Sequence, residues 1–165
     1  MSVAFRRESD EEHKEPRFEL PIPLGPNLVT AHGLQRIVET IGAKEAKLAG
    51  CMDEQQRKDL KRDLRYWNTR QAMAVVAPLP STEEVAFGSR VEIRVDGKLR
   101  TIDIVGSDEA DPSSGRLAFT APLARALIGG VVGEQSVFGT NAQAIEIIAI
   151  EVIPDDVSGK TAVSI

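Results

Sequence analysis

The apolar residues of this chain change period once, at Pro78 and Pro80, and that switch divides the sequence into two differently built parts. Before it, Leu34, Ile37 or Val38, Ile41 and Leu48 recur at three- and four-residue steps, which marks one face of a helix. Thr30 stands where an N-cap is needed, and Gly50 stands where a C′ residue would close the helix. Leu60, Leu64, Trp67 and Val75 form a second apolar stripe, which the two prolines end. Asp53 is placed to cap that second helix, with Gln56 three residues on as a capping-box partner. Two stripes joined by roughly three residues predict an antiparallel helical hairpin, each arm of about 20 residues reaching ~30 Å. Neither stripe is wide enough for a globular bundle, so the hairpin is expected to project as a short coiled coil.

After Pro80 the period is two. Val91, Ile93 and Val95 alternate with Glu92 and Arg94, Asp96-Gly97 makes a two-residue hairpin turn, and Ile102, Ile104 and Val105 lie on the return strand. The loop GSDEADPSSG leads to a short strand, LAFTA. One or two helical turns follow Pro122 and end at Gly129 and Gly130. Further strands are expected around Gln135 to Phe138 and Ala144 to Val152. The fold class is therefore α+β, an N-terminal helical hairpin followed by a small antiparallel sheet domain with one short helix. Residues 1–27 carry six acids, four bases and then FELPIPLGPN with three prolines, which reads as a disordered leader. The expected division is a leader over 1–27, the hairpin over 28–77, the sheet domain over 80–153 and a tail over 154–165.

Composition narrows the function classes. A net charge of −5 argues against a general nucleic-acid binder, and the single cysteine excludes an internal disulfide framework. No apolar run approaches a membrane span and the N-terminus has no secretory h-region, so a cytoplasmic protein is expected. Charge is unevenly placed: residues 53–70 hold six bases against four acids, and residues 80–153 hold eleven acids against six bases. A basic rod on an acidic head suggests two partners or two parts of one large partner.

Catalytic chemistry finds little support. His13 lies in the leader and His32 in the first helical turn, neither with an evident nucleophilic constellation, so His32 reads as a surface or helix-end residue. Cys51 falls in the inter-helix turn with no neighbouring group to tune a thiolate. GGVVGE lacks the glycine order of a phosphate-binding loop. GSDEAD offers Asp108, Glu109 and Asp111 as oxygen donors but not the ligand set of a calcium loop, so it reads as a solvated, partner-facing acidic loop. Arg57, Lys58, Lys61, Arg62 and Arg65 make a basic ridge on the second helix, either a solvated flank with local ion pairs or a surface for a phosphate backbone.

The stretch IVGSDEADPSSGRLAFTAPLARALIGGVVGE, residues 104–134, resembles the C-terminal domain of the GreA/GreB transcript-cleavage factors, bacterial proteins of the RNA polymerase secondary channel. VAFGSRVEI (Val85 to Ile93) resembles the family's first C-terminal strand, and RDLRYW (Arg62 to Trp67) the end of its second coiled-coil helix. The resemblance covers about residues 28–153. It implies an FKBP-like C-terminal domain that grips the channel rim, with Asp108, Glu109, Asp111, Pro122 and Arg125 as polymerase-binding residues. It also implies a basic ridge (Arg57, Lys58, Lys61, Arg62, Arg65) beside RNA, where the nascent 3′ end is a possible contact. In the family, two tip acids help hold a second Mg2+ in the polymerase active site, so the factor is no enzyme itself but stimulates cleavage by the polymerase. Here the tip candidates are Asp53 and Glu54, and no metal is held by the chain alone.

Departures from the family pattern bear on that role. Asp53 and Glu54 are adjacent, where the family's tip acids are spaced, and adjacent helical residues diverge by about 100°. The hairpin reads as roughly three heptads shorter than the usual member, about 10 residues or ~16 Å less per arm. Ala121 replaces the family's serine before Pro122, and Gly130 replaces a lysine often found there. The expected function is thus a monomeric factor that occupies the channel and modulates elongation without stimulating cleavage, as short-hairpin Rnk-type relatives do. The alternatives are an active cleavage factor and, from the FKBP-like fold alone, a peptidyl-prolyl isomerase. The domain's aromatic residues, Phe87, Phe119 and Phe138, are a poor match to the pocket an isomerase needs.

Overall fold

In the computed structural model, residues 21–154 are described; the leader over residues 1–20 and the tail over residues 155–165 lie outside them. Helix α1 spans Ala31–Gly50 and α2 spans Glu54–Ala72, joined by the three residues 51–53. Thr30 caps α1 as expected, its hydroxyl accepting the Gly33 N–H at 2.9 Å, and Asp53 caps α2. The arms pack through Ile37, Ile41 and Leu64, with Leu34, Leu48 and Trp67 against them. Of the pair Ile37/Val38, Ile37 is the inward one and Val38 is exposed.

The first arm does not close on a glycine C-cap. Gly50 is its last helical residue, and Cys51 follows in an extended conformation. The Leu48 carbonyl accepts the Cys51 N–H at 3.3 Å, and α2 adds a second donor: Arg57 Nη1 donates to the oxygens of Leu48 and Cys51, both at 3.0 Å. The second arm is also shorter at its base than the apolar stripe suggested. Met73 caps it, and Val75 belongs to a strand, β2 (Ala74–Val76), which pairs in parallel with β1 (Asn27–Val29). Residues 28–77 are therefore a strand–hairpin–strand unit, not a purely helical one. Asn27, assigned to the leader, is the first residue of β1 and is buried. Alternation over so short a segment cannot be told from a helical stripe, because only the distant partner strand distinguishes them.

The sheet domain follows its periodicity closely. Strands β3 (Ser89–Val95), β4 (Lys98–Val105), β5 (Arg116–Ala118), β6 (Gln135–Phe138) and β7 (Gln143–Val152) lie in the order β5-β4-β3-β7-β6. All neighbours are antiparallel except β4 and β5, which are parallel. Asp96 and Gly97 both have positive φ, 50° and 79°, as a tight two-residue β-hairpin requires. Helix α3 (Pro122–Leu127) lays Ala124 and Leu127 onto Val91, Ile93, Ile102, Ile104, Ile145 and Ile147, which form the sheet core. The architecture is α+β, a helical hairpin beside a mixed five-stranded sheet.

Candidate functional site

At the tip, Asp53 Oδ1 accepts the Gln56 N–H at 2.7 Å, so one carboxylate oxygen is engaged in starting α2. The Gln56 side chain does not complete a capping box in this arrangement; its Oε1 lies 3.5 Å from the Cys51 thiol. Glu54 is 85% exposed and lies 3.3 Å from the Lys58 ammonium one turn on. The two carboxylates have different partners, Asp53 the Gln56 N–H and Glu54 the Lys58 ammonium, and among the described residues no three His, Cys, Asp or Glu side chains are grouped so as to hold a metal ion.

The basic ridge separates into two kinds of residue. Arg57 is turned inward onto the end of α1, and Arg62 lies 3.3 Å from Asp59. Lys58, Lys61 and Arg65 are exposed along the outer side of α2. Arg70, four residues further on than Tyr66 on the same helix, is buried, which its place among the six bases of residues 53–70 does not reveal.

In the acidic loop between β4 and β5, Asp108 and Glu109 are withdrawn from solvent. Asp108 Oδ2 accepts from Arg70 Nε at 2.7 Å and from Asn27 Nδ2 at 3.4 Å, and its Oδ1 accepts from the Tyr66 hydroxyl at 2.8 Å. Arg70 also donates to Asn27 Oδ1. Glu109, 5% exposed, accepts the Thr30 hydroxyl at 2.6 Å on one oxygen and faces His32 Nδ1 at 2.7 Å with the other. Burial, and next the hydrogen bond to Asp108, push the Tyr66 hydroxyl up to a pKa of about 12. The expectation of a partner-facing loop is corrected for these two acids. Their partners lie 38 to 81 residues away in sequence, which no local pattern reveals. The one available signal was Tyr66 and Arg70 at helical spacing, off the apolar stripe.

Asp111 does face solvent. It caps the short 3-10 turn Pro112–Ser114, and hydrogen bonds from Ser113 and Ser114 hold its carboxyl below the usual range. Pro122 and Arg125 are exposed on α3. Asp111, Pro122 and Arg125 thus remain open to a partner, whereas Asp108 and Glu109 are occupied.

Beside the Glu109 contact lies a cleft of about 360 Å³, lined by His32, the linker residues Val76 to Pro80, Phe87, Arg90 and Asp103 among others. Arg90 holds Asp103 by two bonds, at 2.7 and 2.9 Å. Phe119 and Phe138 are absent from this lining, and Phe119 stacks edge-on against Phe87, so the three phenylalanines do not build one aromatic pocket.

Residues 80–152 match the family model described as the C-terminal domain of the transcription elongation factors GreA/GreB. Transcription elongation factor GreB of Neisseria meningitidis serogroup A is 34% identical over 109 residues, covering 62% of this chain and 67% of that protein. Transcription elongation factor GreA of Pseudomonas putida is 31% identical over 156 residues, covering 92% of this chain and 94% of that protein. Among solved structures, GreA factor homolog 1 of Thermus thermophilus aligns over 76% of this chain and 99% of its own, with 17% identity and a TM-score of 0.38. The match to the Pseudomonas factor takes in the hairpin as well as the sheet domain, and on that ground the chain belongs to the GreA/GreB family of transcription elongation factors.

Proposed function

We propose that this protein binds RNA polymerase at the secondary channel, directs its hairpin inward, and modulates elongation without stimulating transcript cleavage. The tip carries this reading. One oxygen of Asp53 is held by the α2 cap, and the adjacent Glu54 is paired with Lys58 at 3.3 Å. The chain therefore contributes occupancy and charge, and no step of RNA hydrolysis is assigned to it. Lys58, Lys61 and Arg65 supply the exposed basic side for the RNA 3′ end, and Asp111, Pro122 and Arg125 supply the contact to the channel rim.

Purified polymerase halted in a backtracked complex tests this. The protein is expected to slow restart or displace other channel-binding factors, with the RNA remaining full length. Shortened RNA that appears with the parent protein and disappears with Asp53→Ala/Glu54→Ala would sink the non-cleaving reading. Failure to bind polymerase would sink the whole proposal.

A further inference from the structure

The two apolar cores of the molecule share no residue. One is built from Val29, Ile37, Ile41 and Leu64 within the hairpin unit, the other from Val85, Val91, Ile93, Ile104 and their neighbours in the sheet domain. Between them the contact is polar and close. Backbone meets backbone where a Cβ on Gly106 would lie 2.5 Å from the Leu28 oxygen, and a Cβ on Gly33 would lie 2.7 Å from Glu109 Oε2. Next to this contact the cleft of about 360 Å³ separates the linker from the sheet. The side-chain hydrogen bonds of this joint thus lie along one side of it, beside the cleft.

The bonded side consists of two adjacent residues that grip two different helices. Asp108 holds α2, through Tyr66 and Arg70, and β1, through Asn27. Glu109 holds the start of α1, through Thr30 and His32. A single anchor would let the hairpin pivot; anchors on both arms remove that rotation. Both carboxylates are withdrawn from water and every oxygen has a donor or ring nitrogen against it, so the arrangement tolerates little displacement.

We propose that Asp108 and Glu109 are positioning residues that set the angle of the hairpin on the sheet domain, and with it where the tip stands relative to α3. The consequence for polymerase rests on the function proposed above, but the angle itself does not. The test is therefore made on the free full-length protein. Spin labels are placed at Met52→Cys and Lys98→Cys in a Cys51→Ser background, since Met52 and Lys98 are both exposed. The parent and Glu109→Gln, which keeps an acceptor for Thr30, are expected to give one narrow distance peak. Asp108→Ala/Glu109→Ala is expected to lose that peak to a broad or shifted distribution while helicity and the sheet's amide spectrum stay unchanged. A narrow, unshifted peak in the double variant overturns the proposal. If the double variant loses helicity, Glu109→Ala, which leaves the Arg70–Asp108 pair in place, decides: a lost or shifted peak supports the proposal and an unchanged one overturns it. A lost peak in a protein that never binds polymerase would leave the positioning role standing and sink only the function proposed above.

Discussion

Arg70 and Asp108 face each other at 2.7 Å across the joint between the last turn of α2 and the loop after β4, with side chains 3% and 8% exposed. Removing one member strands the other charge without water. Asp108→Ala is expected to lower unfolding stability by about 3–5 kcal/mol, and Asp108→Asn by less because two acceptor contacts survive. Urea denaturation followed by far-UV circular dichroism reads this directly, and a change under half a kcal/mol would contradict the buried-pair description.

Tyr66 is the protein's single tyrosine, so its ionisation can be followed alone by phenolate absorbance. Its pKa is raised from 10.0 to about 12 in the folded chain. A raised folded pKa gives stability that is complete below the unfolded value and lost as pH climbs through the folded one. The titration midpoint is expected near 12 in the native protein and near 10 in denaturant. Between those two pH values the parent should lose stability more steeply than Tyr66→Phe.

Gly106 lies against the Leu28 carbonyl with no room for a methyl group. Gly106→Ala is expected to cost about 1–3 kcal/mol, because the obstacle is backbone and cannot rotate away. Thermal melts compared with Gly42→Ala, an open helical position, separate this clash from the general effect of alanine.

Asp53 can be separated into cap and tip acid. Asp53→Asn keeps an oxygen for the Gln56 N–H and is expected to be almost neutral, whereas Asp53→Ala loses about 1 kcal/mol. Glu54→Ala removes only an exposed pair and is expected to shift stability by at most a few tenths of a kcal/mol. Equal losses for Asp53→Asn and Asp53→Ala would argue against the capping role.

Much of this fold was legible because it is locally encoded. Thr30 and Asp53 announce the helix starts, Asp96-Gly97 announces the β-hairpin, and Val91, Ile93, Ile102 and Ile104 face one way because strand side chains alternate. What was hidden depends on partners far along the chain. Val75 looked helical until Leu28 came to lie beside it in β1. Asp108 and Glu109 looked like surface acids, since acidic residues in a turn usually are, and only the return of Thr30, His32, Tyr66 and Arg70 to that turn makes them internal. At the tip, sequence spacing alone already separated Asp53 from Glu54, and the cap bond explains why Asp53 stays where it is.

The parallel pairing of β1 with β2 makes the two helices a single crossover, which leaves the ladder after Val29 and rejoins it at Ala74, at the ladder's other end. Everything from Ala31 to Ala72 is thereby a loop-out from a closed base, with register at Leu28↔Val75 indifferent to how far the arms extend. Such a module behaves as a telescopic gauge. Each heptad inserted into both arms advances the tip by about 10.5 Å and leaves the base, the joint and the sheet domain as they were.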